Sequence, residues 1–249
     1  MVEAAIGIVG GVFIGATGAG LGLLITPLLI LAGYSPAIAV GTGLAVSVLS
    51  KLAGAVVHRE LGHWPGRDVW LLVAGGAVGV VLAFVIIETA VLPRHIDFNL
   101  WLKRALAVAL MLAAAALLKI DRRRGARLAA LGRSRSLLLP VGAGVGTLQA
   151  LTSAGSGSLL VPILASITEW TVAQMAAASN LFGCVVGALS VGLYFHLGQF
   201  DSQLFLKVSL GLLPGVIAGG LMSRVISRGW LMRGIAAVTT YVGLRLLLS

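Results

Sequence analysis

The chain is 249 residues long, 59% hydrophobic and 10% charged, where a soluble domain carries roughly 25% charged residues. That balance excludes a water-soluble globular fold, and several apolar stretches reach the ~20 residues that a helix needs to cross hydrocarbon. The net charge of +10 does not point to nucleic acid: seven of the eighteen basic residues crowd into Lys119–Arg135, with no helix-turn-helix or aromatic platform beside them.

In chain order, apolar stretches fall at about 4–33, 35–57, 69–88 and 100–118. No basic n-region opens the chain, so Met1 onward is read as mature sequence rather than a signal peptide. A basic segment follows at 119–136, then further apolar stretches at about 137–167, 171–196, 204–222 and 230–248. Strand-type alternation is absent, which argues against a barrel. The expectation is an all-α polytopic membrane protein, with an N-terminal repeat at 1–118 and a C-terminal repeat at 137–249. The 119–136 linker is held in the cytoplasm by its positive charge, with anionic lipid as a second contact.

The repeat shows in particular residues. ATGAGLGLLITP (16–27) and LTSAGSGSLLVP (151–162) align without gaps and share Thr17/Thr152, Ala19/Ala154, Gly20/Gly155, Gly22/Gly157, Leu24/Leu159 and Pro27/Pro162. LGHW (61–64) stands opposite LGQF (197–200), and WLKR (101–104) opposite WLMR (230–233). Such duplication is the usual trace of a secondary transporter. Each opening stretch is longer than one crossing needs and is interrupted by GATGAGLG (15–22) or LTSAGSGS (151–158). Glycine costs about 1 kcal/mol in a helix interior, so these clusters predict unwound backbone. If each interrupted stretch enters and returns on one side, three true crossings follow it in each half, and the second half is inverted relative to the first. The distribution of Lys and Arg favours that arrangement over eight simple crossings.

Unwound backbone inside a bilayer must face protein or a polar cavity, and helix N-termini at such breaks attract anions. The half-helices are expected to start near Gly22 and Gly157. Candidate substrate-binding residues are Thr17, Gly18, Gly20 and Gly22 in the first half, and Thr152, Ser153, Gly155, Ser156, Gly157 and Ser158 in the second. Thr42 in GTGLAVS and Asn180 in AAASNLFG are expected to line the same space, although Thr42 could equally bond its own helix. GVFIG, GAGVG, GCVVG and GLLPG read as close-packing glycines.

Lys51, deep in the second stretch, is a candidate for attracting or gating an anion; snorkelling to the surface is the competing reading. His58 and His196 are candidates for proton coupling, although both sit near span ends, where a solvated histidine is the commoner case. Cys184 is the sole cysteine and reads as packing material. No cofactor or metal is expected, and HEXXH, GxSxG and paired intramembrane aspartates are absent, which argues against an enzyme. Cation sites favour carboxylates, and the interior shows almost none.

These features resemble the TauE/SafE sulfite exporter family over residues 4–248. The resemblance rests on the duplicated glycine-rich motif ending in proline, the small polar helix that follows it and the basic central loop. It implies export of sulfite, or of an organosulfonate such as sulfoacetate, across the bacterial inner membrane. The partners are then a small sulfur-containing anion and the lipid bilayer, with no nucleic acid. The glycine content permits a homodimer. Import, another small solute and a non-transporting membrane subunit are the alternatives.

Overall fold

The computed structural model describes residues 1–17, 24–91, 97–118, 135–157, 159–222 and 228–248. Among them the regular structure is helical throughout. The first half contains α1 (Val2–Thr17), α2 (Ile25–Leu31), α3 (Pro36–Glu60), α4 (Val69–Ile86, continued by a π turn at Ile87–Val91) and α5 (Phe98–Leu118). The second contains α6 (Leu138–Thr152), α7 (Leu160–Ile167), α8 (Val172–His196), α9 (Ser202–Met222) and α10 (Arg228–Leu248). The basic linker from 119 to 134 lies outside the described residues. Among the described residues four helices are long and apolar enough to cross a membrane: Pro36–Glu60, Val69–Val91, Val172–His196 and Ser202–Met222. The chain is a multi-pass membrane protein.

Corresponding helices are built alike. α3 and α8 each span 25 residues. Pro36 opens α3 at a position where its missing N–H costs nothing. Thr171 opens α8 with a capping box: its hydroxyl accepts from Gln174 N at 3.2 Å, while Gln174 Oε1 accepts from Thr171 N at 2.9 Å. Both helices end in the Leu-Gly pairs that the sequence repeats. Gly62 and Gly198 take φ of 70° and 67°, a left-handed turn that glycine adopts without penalty. The same wrapping bond closes each end, from His63 N to His58 O and from Gln199 N to Tyr194 O.

The halves interlock instead of packing as separate bodies. One core combines α4 with α6, α7 and α8 around Leu72, Leu164 and Phe182. The other combines α9 with α1, α2 and α3 around Ile25, Leu29 and Val208. Each half thus lends its fourth helix to the other's core.

Glycines set these contacts. A β-carbon on Gly75 would strike Leu139 O, and one on Gly211 would strike Ala4 O; Gly79 lies against Ala143 O and Gly215 against Ile8 O. These are the same contacts displaced by one repeat, and they bring backbones together as small residues do in lipid. The glycines of GVFIG and GLLPG are therefore packing glycines, as are Gly142 and Gly146 of GAGVG, whereas Gly144 faces open space. The register also gives direction. Gly7, Gly11 and Gly15 meet Val208, Leu212 and Val216 in turn, so α1 runs parallel to α9. Leu72 and Gly76 meet Gly142 and Gly146, so α4 runs parallel to α6. Between α3 and α8 the order reverses: Gly41 meets Tyr194, Val48 meets Gly187 and Gly54 meets Asn180. Those two helices are antiparallel.

The outward face of α9 presents Leu206, Leu210, Leu213, Ile217 and Leu221 to the surroundings, and α4 presents Val78, Val81, Leu82 and Val85. Apolar faces of that extent suit lipid, not water.

Candidate functional site

In the second half the helix is interrupted between α6 and α7. α6 stops at Thr152 because Ser153 turns left-handed at φ 58°, and Gly155 follows at φ 136°. The chain re-forms a helix only at Leu160. Leu159 N and Leu160 N both bond Gly155 O, at 3.2 and 3.1 Å. In the first half α1 ends at Thr17 and α2 begins at Ile25. Both short helices thus start three residues later than the Gly22 and Gly157 expected from sequence. Their prolines stand in the first turn, where no N–H is required. Gly18, Gly20, Gly22 and Ser158 lie outside the described residues. The chain after α2 comes back to where α1 began, since Tyr34 Oη donates to Glu3 Oε1 at 2.9 Å. That bond to a carboxylate raises the Tyr34 phenol above its ordinary pKa.

The second interruption is packed against the first half. Ser153 Oγ and Thr26 Oγ1 are 2.5 Å apart, and Thr26 Oγ1 also donates to Ala39 O at 3.3 Å. A β-carbon on Gly43 would collide with Thr26 Oγ1, so glycine there lets α2 reach Ser153. Thr26→Val removes a buried hydroxyl of nearly the same volume and should cost about 1–3 kcal/mol. We expect a lower thermal midpoint in detergent for Thr26→Val and a wild-type midpoint for Thr26→Ser.

The predicted residues divide by what their hydroxyls do. Thr152 is buried, but its Oγ1 donates back to Leu148 O at 2.6 Å and accepts from Ala154 N at 3.3 Å. It fastens the interruption from inside. Ser156 and Ser153 are buried, and the Ser156 carbonyl accepts from Ser179 Oγ. Thr42 is buried with no partner for Oγ1. It does not bond its own helix. Asn180 is half-buried on the α3–α8 crossing, with its amide nitrogen 2.6 Å from where a β-carbon on Gly54 would stand.

Lys51 does not snorkel. Its side chain is 5% exposed, and Nζ stands 3.5 Å from Ser179 Oγ at the same crossing. A lysine at a helix centre costs about 2.5–3.5 kcal/mol on insertion scales, so its burial calls for compensation. The histidines are elsewhere. His58 faces His63 at the C-terminal end of α3, Nδ1 to Nδ1 3.3 Å. His196 is exposed at the end of α8, its ring centroid 6.2 Å from that of Phe84. Because α3 and α8 are antiparallel, these two ends lie on opposite sides of the crossing, too far apart to act as one relay.

Sequence reasoning missed Gln149. It is buried on α6, and its Nε2 donates to Gly183 O at 3.3 Å. The argument that an amide among apolar helices needs partners, which singled out Asn180, applied to Gln149 with equal force. The same contact gives the GCVVG glycines a role beyond packing. A β-carbon on Gly183 would lie 2.8 Å from Ser156 Oγ and 3.1 Å from Lys51 Cδ, and one on Gly187 would lie 3.3 Å from Gln149 Nε2.

An all-helical, multi-pass chain whose buried polar residues gather at an interruption between interlocked halves has the construction of a membrane transporter. Residues 3–246 match the family model described as Sulfite exporter TauE/SafE, and the chain belongs to that family. A Bacillus subtilis (strain 168) protein described as "Probable membrane transporter protein YjnA" is 30% identical over 244 residues, 95% of this chain and 95% of the relative. No solved structure matches the chain.

Proposed function

We propose that the protein is a secondary transporter that moves sulfite or a small organosulfonate out of the cell across the bacterial inner membrane. The anion is held between the halves, at the two interruptions and the α3–α8 crossing. The observation that carries this reading is the character of the buried polar set. Thr26, Thr42, Lys51, Gln149, Ser153, Ser156 and Ser179 are buried, and no carboxylate is buried with them among the described residues. Such a set offers donors and positive charge, which suit an oxyanion, whereas a cation site favours carboxylate oxygens.

The halves are inverted repeats of 1–118 and 137–249 related by an axis in the membrane plane. The antiparallel run of α3 and α8 supports this, because an axis along the membrane normal leaves corresponding helices parallel. The 2.5 Å ion pair between Arg135 and Asp68 supports one side for the linker end and the α3–α4 loop. Positive charge assigns that side to the cytoplasm. Export needs no obligatory proton, since each negative charge leaving a cell with a negative interior gains about 2.3 kcal/mol per 100 mV.

Purified protein in liposomes loaded with sodium sulfite should release it along an imposed potential, at a rate indifferent to a proton gradient at fixed potential. Absence of flux with sulfite, thiosulfate, sulfoacetate and taurine alike overturns the substrate class. A strict requirement for the proton gradient overturns the uncoupled route.

A further inference from the structure

Lys51 lies nine residues before the end of α3 at Glu60, about 14 Å along the helix. A charge that deep is tolerated when it is paired, yet no carboxylate is buried among the described residues. Its hydrogen-bonding capacity is also unfilled. An ammonium has three donors, and the acceptor it reaches is Ser179 Oγ at 3.5 Å. That hydroxyl already donates to the Ser156 carbonyl, so it can only accept from Lys51. The ammonium is thereby tied to the second interruption through a single hydroxyl.

An unfilled acceptor belongs to Gln149, whose Nε2 bonds the carbonyl of Gly183, the residue whose β-position lies 3.1 Å from Lys51 Cδ. With Gln149 Nε2 given to Gly183 O, Oε1 is buried without a partner. Turning the amide round would set two acceptors against each other, so this orientation is the favoured one. Ser179, Gly183 and Gly187 recur at four-residue spacing along one face of α8. Lys51 Cδ and Ser156 Oγ close on Gly183, and Gln149 reaches both glycines.

We infer that Lys51, Ser179 and Gln149 form a subsite for a singly charged oxyanion that also carries a hydrogen-bond donor. Hydrogensulfite and hydroxy-sulfonates are of this type. The Lys51 ammonium supplies the counter-charge, and ion and lysine together sum to zero, the charge a low-dielectric interior favours. A dianion would leave one negative charge uncompensated. Gln149 Oε1 accepts the ligand's donor and thereby discriminates against anions that only accept. The inference rests on the proposed reading of the protein as an anion transporter and names the residues that set its charge selectivity.

The test uses full-length wild type, Lys51→Met, Lys51→Arg, Ser179→Ala and Gln149→Leu, each assayed for thermal stabilisation by sodium sulfite and for sulfite flux in liposomes. Sulfite should raise the wild-type midpoint. In Lys51→Met that rise should vanish and flux should fall about 100-fold, the loss expected for removing a close, partly desolvated charge. Without sulfite, Lys51→Met should be at least as stable as wild type, because methionine fills similar space without a buried charge. Lys51→Arg should keep about a tenth of the flux, and Gln149→Leu should raise the half-saturating concentration about tenfold. If Lys51→Met fails to fold, Lys51→Arg and Ser179→Ala decide, and wild-type affinity in both overturns the subsite. Wild-type stabilisation and flux in Lys51→Met also overturns it. A wild-type protein that sulfite stabilises in a Lys51-dependent way but that carries no flux supports the subsite and overturns the transport reading. Wild type that no sulfite concentration stabilises overturns the subsite.

Discussion

Gly211→Leu and Gly75→Leu should leave little folded protein. At both positions the added β-carbon meets a backbone carbonyl, Ala4 O or Leu139 O, within a helix pair that holds the two halves together. A flexible side chain could swing aside, but a helix backbone cannot, so α1 and α9, or α4 and α6, must separate. Overpacking a core side chain costs about 1–3 kcal/mol, and here the cost should exceed that, against the 5–15 kcal/mol by which folded proteins typically persist. Gly144 provides the control. It lies between Gly142 and Gly146 on α6 but has nothing within 4 Å of its β-position, so Gly144→Leu should be tolerated. The measurement is the monodisperse yield in detergent. If Gly211→Leu purifies like wild type, α1 and α9 are not packed as described.

The largest effect on transport without loss of the fold should come from Gly155→Leu. Space is not the obstacle there, since the nearest atoms to a β-carbon are Val145 Cγ1 at 3.5 Å and Val145 O at 3.6 Å. The obstacle is φ of 136°, a backbone state that a leucine enters only at a cost of about 1–3 kcal/mol. Relaxing that strain turns the Gly155 carbonyl away from Leu159 N and Leu160 N, and moves Ser156 with it. A displacement of an ångström in a positioned site costs about 100-fold in rate, and sulfite flux should fall by that order while insertion and monodispersity survive. Flux at the wild-type level in Gly155→Leu would remove the interruption from the transport path.

How much of this was legible depended on how local the cause was. The duplicated Thr-Ala-Gly-Gly pattern located the second interruption correctly, because glycine and a left-handed serine break a helix by backbone sterics alone. It placed the start of α7 three residues early, because Gly155 O captures two successive N–H groups and delays regular winding. The Leu-Gly pairs at 61–62 and 197–198 read in sequence only as matching positions of the repeat; the structure shows that both close helices through a left-handed glycine. Thr152 reads in sequence as a possible donor to substrate, and the structure adds that its hydroxyl bonds Leu148 O and Ala154 N within the turn it sits in. Gln149 could have been singled out by the same amide argument as Asn180, but its partner, Gly183 on another helix, could not.

Sequence alone determined the membrane environment, the helical class and the helix stop ahead of Gly155, since each follows from composition or from the conformational limits of neighbouring residues. Tertiary structure alone decided that each half gives its fourth helix to the other's core, and that Lys51 turns inward instead of reaching for the surface. Those outcomes depend on which helices pack together and in which direction. Contacts between residues far apart in the chain, such as Gly75 with Leu139, Gly7 with Val208 and Lys51 with Ser179, set them, and no local preference encodes such contacts.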